Sequence, residues 1–261
     1  MTYPRSDIDL YSDAALLDPF PLYKDLRDAG PAVWLSKYDM MVLPRYKDVT
    51  EAMRNWQVFT SGRGVMMNKP MNDTLRGIVL CSDDRGEIGM EKPPLMMNDY
   101  MGPSLDTTIF ATSSAIWLFA QNPDQWDALR ETPSLLPAAI NEVVRLESPL
   151  QGFSRVTAQD VNVDGVIVPK DTRAIMLWGS ANRDERKWDE PDKFDIRRRN
   201  ADHVGFGHGV HVCVGMHLAK MEISALLTAL IKRVERFELG KTERVINNVM
   251  HGFSKVEVTV H

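Results

Sequence analysis

A run without charged residues from Thr107 through Gln121 constrains the fold of this chain most strongly. Large apolar side chains recur along it, at Ile109, Phe110, Ile116, Trp117, Leu118 and Phe119. A helix that is apolar on every face must be covered by protein on every side, because uncovered apolar surface is unfavourable in water. The run therefore predicts a central helix within a layered core.

The patterns around this run predict a mainly α protein with a small β part. The long helix is expected over 95–120, with a kink at Gly102 and Pro103, because proline lacks an amide donor and clashes with the preceding turn. Helical spacing predicts further helices at 22–29, 46–56, 123–130 and 135–146 and after Cys213. Apolar runs at 32–35 and 40–43, separated by the four-residue turn 36–39, predict a β-hairpin. Alternation punctuated by Gly165 predicts further strands at 161–168 and 174–177.

Composition bounds the class of protein. The 261 residues are 44% hydrophobic, which is ordinary for a globular domain. The two cysteines, Cys81 and Cys213, form no disulfide framework and suit a reducing compartment. No apolar leader and no run of eighteen uncharged apolar residues is present, so a cytoplasmic protein without a membrane anchor is expected. A net charge of −5 argues against a nucleic-acid partner.

One segment departs from this acidic balance. Basic residues crowd the stretch ahead of residue 200, at Arg183, Arg186, Lys187, Lys193, Arg197, Arg198 and Arg199. Most such runs are solvated surface. An exposed basic patch here would nevertheless attract an acidic protein partner to this side of the molecule.

The segment from Phe206 to His217 places Cys213 in a glycine-rich loop directly before an amphipathic helix. Backbone N–H donors and the positive end of a helix stabilise a thiolate, and the thiolate is the form that binds a metal or attacks an electrophile. Glycines let such a loop turn sharply and approach a flat ligand closely. The loop therefore predicts that Cys213 holds a metal.

Two other interpretations of this loop stay open. His203, His208, His211 and His217 lie around Cys213 in sequence, which would suit a zinc site. Zinc sites, however, favour paired ligands at short fixed spacings, and these histidines are scattered. The remaining alternative is an inert buried cysteine, because cysteine is among the most buried residue types.

The loop fills every fixed position of the pattern Phe-Gly-x-Gly-x-His/Arg-x-Cys-x-Gly and so resembles the cysteine-ligand loop of soluble bacterial members of the cytochrome P-450 family. The resemblance implies a haem b cofactor (iron protoporphyrin IX) with Cys213 as the axial thiolate, which favours O–O cleavage. His211 is then expected to bind a haem propionate. Phe206 is expected to pack beside the sulfur, and Gly207 and Gly215 to shape the loop around the cofactor.

Two further motifs extend the resemblance. Glu142 and Arg145 are three residues apart, so they share a helix face, and they resemble the family's Glu-x-x-Arg pair. Arg198 matches the arginine that joins this pair, and the implied role of the triad is structural. Gly-Phe-Ser-Arg at 152–155 resembles the family strand whose arginine binds a propionate, which assigns Arg155 a role beside His211.

The long helix carries a third match. Residues 103–108, Pro-Ser-Leu-Asp-Thr-Thr, correspond to the family groove Ala/Gly-Gly-x-Asp/Glu-Thr-Thr. Asp106 and Thr107 match this pattern, which implies that they relay protons as catalytic residues. Pro103 and Ser104 depart from it, and Ser104 adds bulk to the groove. A kink without any catalytic role is the alternative interpretation.

The resemblance implies a truncated cytochrome P-450-like fold in which the long kinked helix and the cysteine-loop helix sandwich haem. The implied reaction is monooxygenation: activation of O2 or peroxide at iron and insertion of oxygen into a small organic substrate. Leu105, Phe153 and Phe253 are expected to line the substrate, and a ferredoxin or flavodoxin-like partner to supply electrons. The alternative is a haem-binding module that lacks productive turnover.

The expected truncation is internal. Residues 1–84 resemble the family's N-terminal helix and hairpin portion, and 85–261 its haem-binding core, together forming one compact domain. The central segment expected between Asp84 and Arg85 is missing, which suggests a truncated or designed chain. Its loss removes a second His and Arg for the propionates and the helices that cover the long helix. Weak haem retention and self-association through the exposed long helix are therefore predicted.

Overall fold

The computed structural model describes residues 3–74 and 93–261, with side chains over 3–73 and 101–261. Cys81 and the predicted junction between Asp84 and Arg85 lie outside these residues. In the described ranges, no helix is both long enough and apolar enough to cross a bilayer.

Helices dominate the described chain. They are α1 (Asp13–Leu17), α2 (Phe20–Ala29), α3 (Tyr46–Arg54), α4 (Lys69–Thr74), α5 (Pro93–Gln121), α6 (Pro123–Glu131), α7 (Leu136–Glu147), α8 (Trp178–Ala181) and α9 (Met216–Ile231). Two 3₁₀ turns lie at Pro133–Leu135 and Gly209–His211. The mainly α class is confirmed, and α5 is the predicted long helix, which continues through Pro103.

The strands form one larger sheet and two hairpins. They are β1 (Arg5–Ser6), β2 (Val33–Leu35), β3 (Met40–Leu43), β4 (Phe59–Thr60), β5 (Gly152–Thr157), β6 (Val161–Val163), β7 (Val166–Val168), β8 (Arg173–Leu177), β9 (Phe237–Arg244) and β10 (Phe253–Val260). The larger sheet has the order β1-β2-β3-β8-β5-β4, and β9 pairs with β10 as β6 does with β7. The predicted β2–β3 hairpin is confirmed.

The larger sheet joins the two ends of the chain. β3 runs parallel to β8, with Met41 opposite Ala174 and Leu43 opposite Met176. All four of these side chains are buried, because the sheet is covered by helices from both parts of the sequence. Residues before 75 and residues after 150 therefore share one apolar layer.

The C-terminal half of α5 lies in a second core with α6, α7 and α9. Phe119 is 1% exposed and makes edge contacts with Trp126 and Phe194. Trp117 packs against Phe253 on β10. From Phe110 onward this stretch is covered within the chain, because the C-terminal hairpin and neighbouring helices pack on it.

The exposed apolar surface of α5 lies instead towards its N-terminal end. Met101, Leu105 and Ile109 are 68%, 63% and 49% exposed, and they follow one another at four-residue spacing. This spacing places them in one stripe along the helix. Self-association through the long helix therefore remains a prediction, with these three residues at its centre.

A buried charge cluster connects α7 to the C-terminal hairpin. The Glu147 carboxylate lies 2.6 Å from Arg244, 3.6 Å from Arg183 and 4.0 Å from Nε2 of His251. Glu147 and His251 are both almost fully buried. Burial lowers the pKa of His251 to about 4; Glu147 opposes this shift, and Arg244 and Arg183 add to it.

Because His251 binds a proton more weakly when folded than the ordinary value near 6.5 in the unfolded chain, it should destabilise the fold as pH falls from about 6.5 to about 4. Replacing His251 by Gln removes this titration. We expect the stability advantage of the original chain over His251→Gln to shrink by up to about 1.4 kcal/mol per pH unit across that window. Urea unfolding at several pH values checks this, and a pH-independent difference would contradict it.

The α5 stripe predicts association that rises with protein concentration. Light scattering of the original chain should show an increasing mean mass, because exposed apolar patches drive contacts between molecules. Leu105→Glu should lower that mass. Ile167→Glu is the matched control, because Ile167 is 40% exposed on β7, in a different part of the fold. A monodisperse monomer at high concentration would refute the prediction.

Candidate functional site

The cysteine loop lies against α3. Gly207 and Gly209 both have φ near +73°, a region that favours glycine. A Cβ on Gly209 would lie 2.9 Å from the carbonyl oxygen of Met53, so a larger residue there would push the loop off the helix. These two conformations fix the Gly209–His211 turn and the path of the chain towards Cys213.

Cys213 lies just ahead of the first turn of α9. Its backbone N–H donates to the carbonyl of Phe206 over 2.8 Å, which closes the loop. The thiol is held by backbone N–H groups of Gly215 and Met216, and the residue itself is exposed. Burial nevertheless raises the pKa of the thiol, because loop atoms exclude water from the sulfur more effectively than the two amides stabilise its anion. The free thiol therefore favours its protonated form, and a bound metal would favour the thiolate because coordination deprotonates a thiol.

A narrow cleft beside the loop holds the two predicted propionate ligands. Arg155 from β5 and His211 from the 3₁₀ turn both line it, together with Gly207, His208 and Trp178. Arg155 is 6% exposed, and its Nη1 donates to the Ser154 carbonyl over 2.9 Å. The structure thus brings Arg155, His211 and Gly207 together, as the sequence predicts.

The cleft is also lined by residues that no sequence motif indicates, Trp178 and His208. Trp178 follows β8 directly, and its ring packs edge-on against Phe153. His208 Nε2 accepts a hydrogen bond from Arg54 Nε over 2.8 Å, and burial together with Arg54 lowers the pKa of His208. From the sequence, His208 is only a possible zinc ligand. The sequence gives no sign of its hydrogen bond to Arg54, because that bond depends on the packing of the loop against α3.

Glu142, Arg145 and Arg198 meet in one buried network. Arg145 donates from Nε and Nη2 to the two Glu142 carboxylate oxygens over 2.8 and 2.9 Å. Arg198 Nε donates to Glu142 Oε1 over 3.0 Å. Arg145 and Glu142 are fully buried, and their hydrogen bonds hold the pKa of Glu142 below its usual value despite the opposing effect of burial. The arrangement is the one that the predicted structural triad requires.

The predicted catalytic pair lies on the open part of α5. Thr107 Oγ1 donates to the Pro103 carbonyl over 2.7 Å, so its proton is used within the helix. Ser104 Oγ donates to the Met101 carbonyl over 3.1 Å, which turns its hydroxyl back onto the backbone. Asp106 is exposed to solvent. The groove residues are thus adjacent and in contact with water.

The three predicted substrate-lining residues do not share a cavity. Leu105 is exposed on α5, whereas Phe153 packs against Trp178 in the sheet core. Phe253 is 5% exposed and lies between Trp117 and Arg244. Its burial in the hairpin interface leaves no accessible face for a substrate in this structure.

The remaining residues of the loop region take structural positions. Phe206 is partly buried, with Lys220 above its ring and His203 beside it. A Cβ on Gly215 would touch only the Cys213 sulfur, at 3.9 Å, so the described contribution of Gly215 is its N–H group. Burial lowers the pKa of His203 to about 3, and its Nδ1 accepts from Gly205 N.

The zinc alternative has no geometric support in the described chain. Across residues 3–73 and 101–261, whose side chains the structure describes, no three His, Cys, Asp or Glu side chains gather as a metal site. His203 and His208 are engaged with Gly205 and Arg54 respectively. The cysteine loop instead carries one sulfur, Cys213, and its His211 shares a cleft with Arg155, which fits a metal carried by a ligand with carboxylates.

Several residues of the basic segment ahead of residue 200 are paired with carboxylates. Arg183 contacts Asp192 over 2.8 Å, and Arg186 contacts Glu185 over 2.6 Å. Lys193 and Arg198 pair with Glu190 and Glu142, each over 3.0 Å. These carboxylates reduce the local positive charge, and attraction of an acidic partner to this side of the molecule stays a prediction.

Comparison with known proteins gives matches of one kind. A sequence model described as Cytochrome P450 matches residues 83–258. Cytochrome p450 CYP199A2 of Rhodopseudomonas palustris is 41% identical over 176 residues, which cover 67% of this chain and 43% of that protein. Linalool 8-monooxygenase of Pseudomonas putida is 36% identical over 175 residues, which cover 64% of this chain and 43% of that protein. The chain thus spans less than half the length of these relatives.

Solved structures extend the likeness to the whole fold. The substrate-free cytochrome P450 CYP150A6 of Mycobacterium marinum superposes with a TM-score of 0.85 at 16% identity, and the alignment covers 98% of both chains. At this identity the likeness concerns the fold alone. It includes the N-terminal hairpin and helices, which precede residue 83.

The buried triad predicts a large loss of stability when one partner is removed. Arg145→Ala leaves Glu142 buried with fewer donors and should lower the free energy of unfolding by about 3–5 kcal/mol. The matched control is Arg63→Ala, because Arg63 and its partner Asp171 are 54% and 57% exposed, so water screens their ion pair. The control substitution should lower the free energy of unfolding, measured in urea, by less than about 1 kcal/mol. Equal losses in the two variants would contradict a buried structural role.

Proposed function

We propose, since this chain belongs to the cytochrome P450 family, that it is a haem-thiolate protein of the monooxygenase type. The observation that carries the proposal is the position of Cys213, exposed at the start of α9 with backbone N–H groups at its sulfur and the Arg155–His211 cleft on the same loop. Proteins of this family bind haem b. When bound to a thiolate, that cofactor supplies O2 or peroxide activation at iron.

The chain's own residues are proposed to hold the cofactor at two points. Cys213 Sγ would be the axial ligand, and the Gly215 and Met216 N–H groups would stabilise its negative charge. Arg155 and His211 would pair with the propionates, because both are basic and line one cleft. Because the free thiol has a raised pKa, cofactor uptake should release a proton and weaken at low pH.

Asp106 and Thr107 are proposed to handle protons. Thr107 Oγ1 donates to the Pro103 carbonyl, so its oxygen is oriented to accept a hydrogen bond from water. Asp106 is exposed and can exchange protons with solvent. Their adjacency on α5 gives a short route from bulk water to the face of the helix, as general acid catalysis requires.

The substrate and partners are also proposals. A small organic substrate is supported by the relatives, one of which is named for linalool. A ferredoxin or flavodoxin-like protein would supply electrons, in the cytoplasm and without a nucleic-acid or membrane partner. We treat 1–84 and 85–261 as one compact domain, which the β3–β8 pairing supports.

The open surface of α5 favours a second candidate, a haem-binding module without productive turnover. Leu105 and Asp106 are both exposed in the region proposed to meet substrate and oxygen. Water that reaches this face would compete with the positioned proton route, because catalysis of this kind depends on exclusion of solvent. This candidate keeps the roles of Cys213, Arg155 and His211 and removes those of Asp106 and Thr107.

The absorbance spectrum of the reduced, CO-treated protein tests the proposed ligand. The haem-loaded chain should show the red-shifted Soret band of thiolate-ligated haem, because Cys213 provides the sulfur. Cys213→Ala and Cys213→His should abolish that band. Cys81→Ala, which alters the other cysteine, is the matched control and should retain it. An unchanged band in Cys213→Ala would refute the assignment.

Turnover separates the two candidates once that band is present. With NAD(P)H and a ferredoxin system, the monooxygenase should form hydroxylated product from a panel of small aromatic acids and terpenes. Thr107→Ala should reduce the product formed per NAD(P)H consumed. Rapid loss of haem absorbance without product would instead support the binding module.

A further inference from the structure

The indole N–H of Trp178 is a buried hydrogen-bond donor that lacks an acceptor in the described part of the protein. Trp178 is 6% exposed, and its Nε1 has no hydrogen-bond partner among the residues whose side chains the structure describes, 3–73 and 101–261. Indole nitrogen is a donor only, so this group requires an acceptor from elsewhere. Buried donors in native proteins are rarely left unsatisfied, and an exception calls for an explanation.

Two other buried tryptophans show the ordinary arrangement. Trp126 Nε1 donates to the Val234 carbonyl over 3.3 Å, and Trp188 Nε1 donates to the Ala181 carbonyl over 3.2 Å. Both are as buried as Trp178. The fold therefore supplies acceptors for tryptophan donors in its core, and Trp178 differs from them in its location.

That location is the cleft of the candidate site. Trp178 lines it together with Arg155 and His211. A Cβ placed on Gly207 would lie 3.7 and 3.8 Å from Cη2 and Cζ2 of Trp178, two atoms of its six-membered ring. The indole is thus close to the cysteine loop. The Trp178 ring also contacts the Phe153 ring edge-on, with their centroids 5.5 Å apart.

We propose that Trp178 Nε1 donates a hydrogen bond to a propionate carboxylate of haem b, beside Arg155 and His211. This inference rests on the proposed function, because it assumes that haem occupies the site. A carboxylate only accepts hydrogen bonds, and each of its oxygens accepts more than one, so a buried N–H that lacks an acceptor matches it chemically. The sequence motifs assign only Arg155 and His211 to the two carboxylates.

Trp178→Phe tests the role, because it removes the N–H and keeps an aromatic ring against Phe153. Two opposite effects are expected. The apoprotein should be at least as stable to urea as the original, because a buried unsatisfied donor is gone. The haem-loaded protein should lose haem to apomyoglobin about tenfold faster or more, because a hydrogen bond to a charged group is lost.

Trp188→Phe is the matched control. It removes an N–H that already has the Ala181 carbonyl as its acceptor, at similar burial. We expect lower apoprotein stability and an unchanged haem transfer rate. A Trp178→Phe variant that behaves like this control, with unchanged haem transfer, would overturn the proposal.

Haem dimethyl ester gives a second test that identifies the acceptor. Its propionates carry no charge, so the difference in transfer rate between the original chain and Trp178→Phe should shrink several-fold. An undiminished difference would show that Trp178 acts on packing rather than on a propionate. A failure of the original chain to bind haem at all would overturn the proposed function and this inference together, whereas equal rates in both proteins would overturn only the inference.

If Trp178→Phe does not fold, the original chain provides the measurement. Binding of gallium protoporphyrin, a diamagnetic analogue, should shift the indole N–H resonance of Trp178 downfield, as a new hydrogen bond to a carboxylate requires. The resonance can be assigned through its contact with the Phe153 ring. A resonance that does not move would overturn the proposal, including the case in which a bound water is the acceptor in both states.

Discussion

The carboxylate of Glu142 is the interaction on which the cysteine side of the molecule depends. It accepts hydrogen bonds from Arg145, Arg198, Asn200 and the Asp195 backbone N–H. Arg145 extends the network to the carbonyls of Asn182 and Pro191, over 2.6 and 2.8 Å. One helix thus fixes an irregular segment that has little regular secondary structure. The position of the cysteine loop follows, because that segment leads directly into it.

This network also explains why polar residues are acceptable at the centre of the fold. A fully buried ion pair is costly unless nearly all its donors and acceptors are satisfied. The guanidinium of Arg145 contacts both Glu142 oxygens and backbone carbonyls, and lies 5.4 Å from the Trp188 ring centre. The charges are therefore compensated locally, and the irregular backbone gains the acceptors and donors that a helix or sheet would otherwise supply.

The sequence predicted the main helices and the β2–β3 hairpin because their apolar periodicity is strong. It did not predict the hairpin of β9 and β10, whose alternation is interrupted by Gly240 and a shift of register near Val256. It also failed to predict the raised pKa of Cys213, because sequence shows nearby amides but not how far loop atoms exclude water. The family motifs located Arg155 and His211. Trp178 escaped notice because an unsatisfied N–H becomes visible only when every neighbour is placed.

The two parts of α5 differ in their exposure to solvent. From Phe110 onward the helix is packed by α6, α7, α9 and the C-terminal hairpin. Ahead of that point, Leu105 and Asp106 meet solvent. The same helix therefore provides rigid support at one end and an accessible surface at the other, and the proposed proton route lies on the accessible part.

The pairing of β3 with β8 has a consequence for the order in which the chain can fold. Residues 41 and 174 are neighbours in the sheet, so the edge of β3 has no partner until most of the sequence has been synthesised. Contacts between such distant residues form late, because a long loop must close first. During translation the β2–β3 hairpin would present an open apolar edge, a surface that invites pairing with other chains. The yield of folded protein should thus depend on how long the ribosome takes to deliver β8.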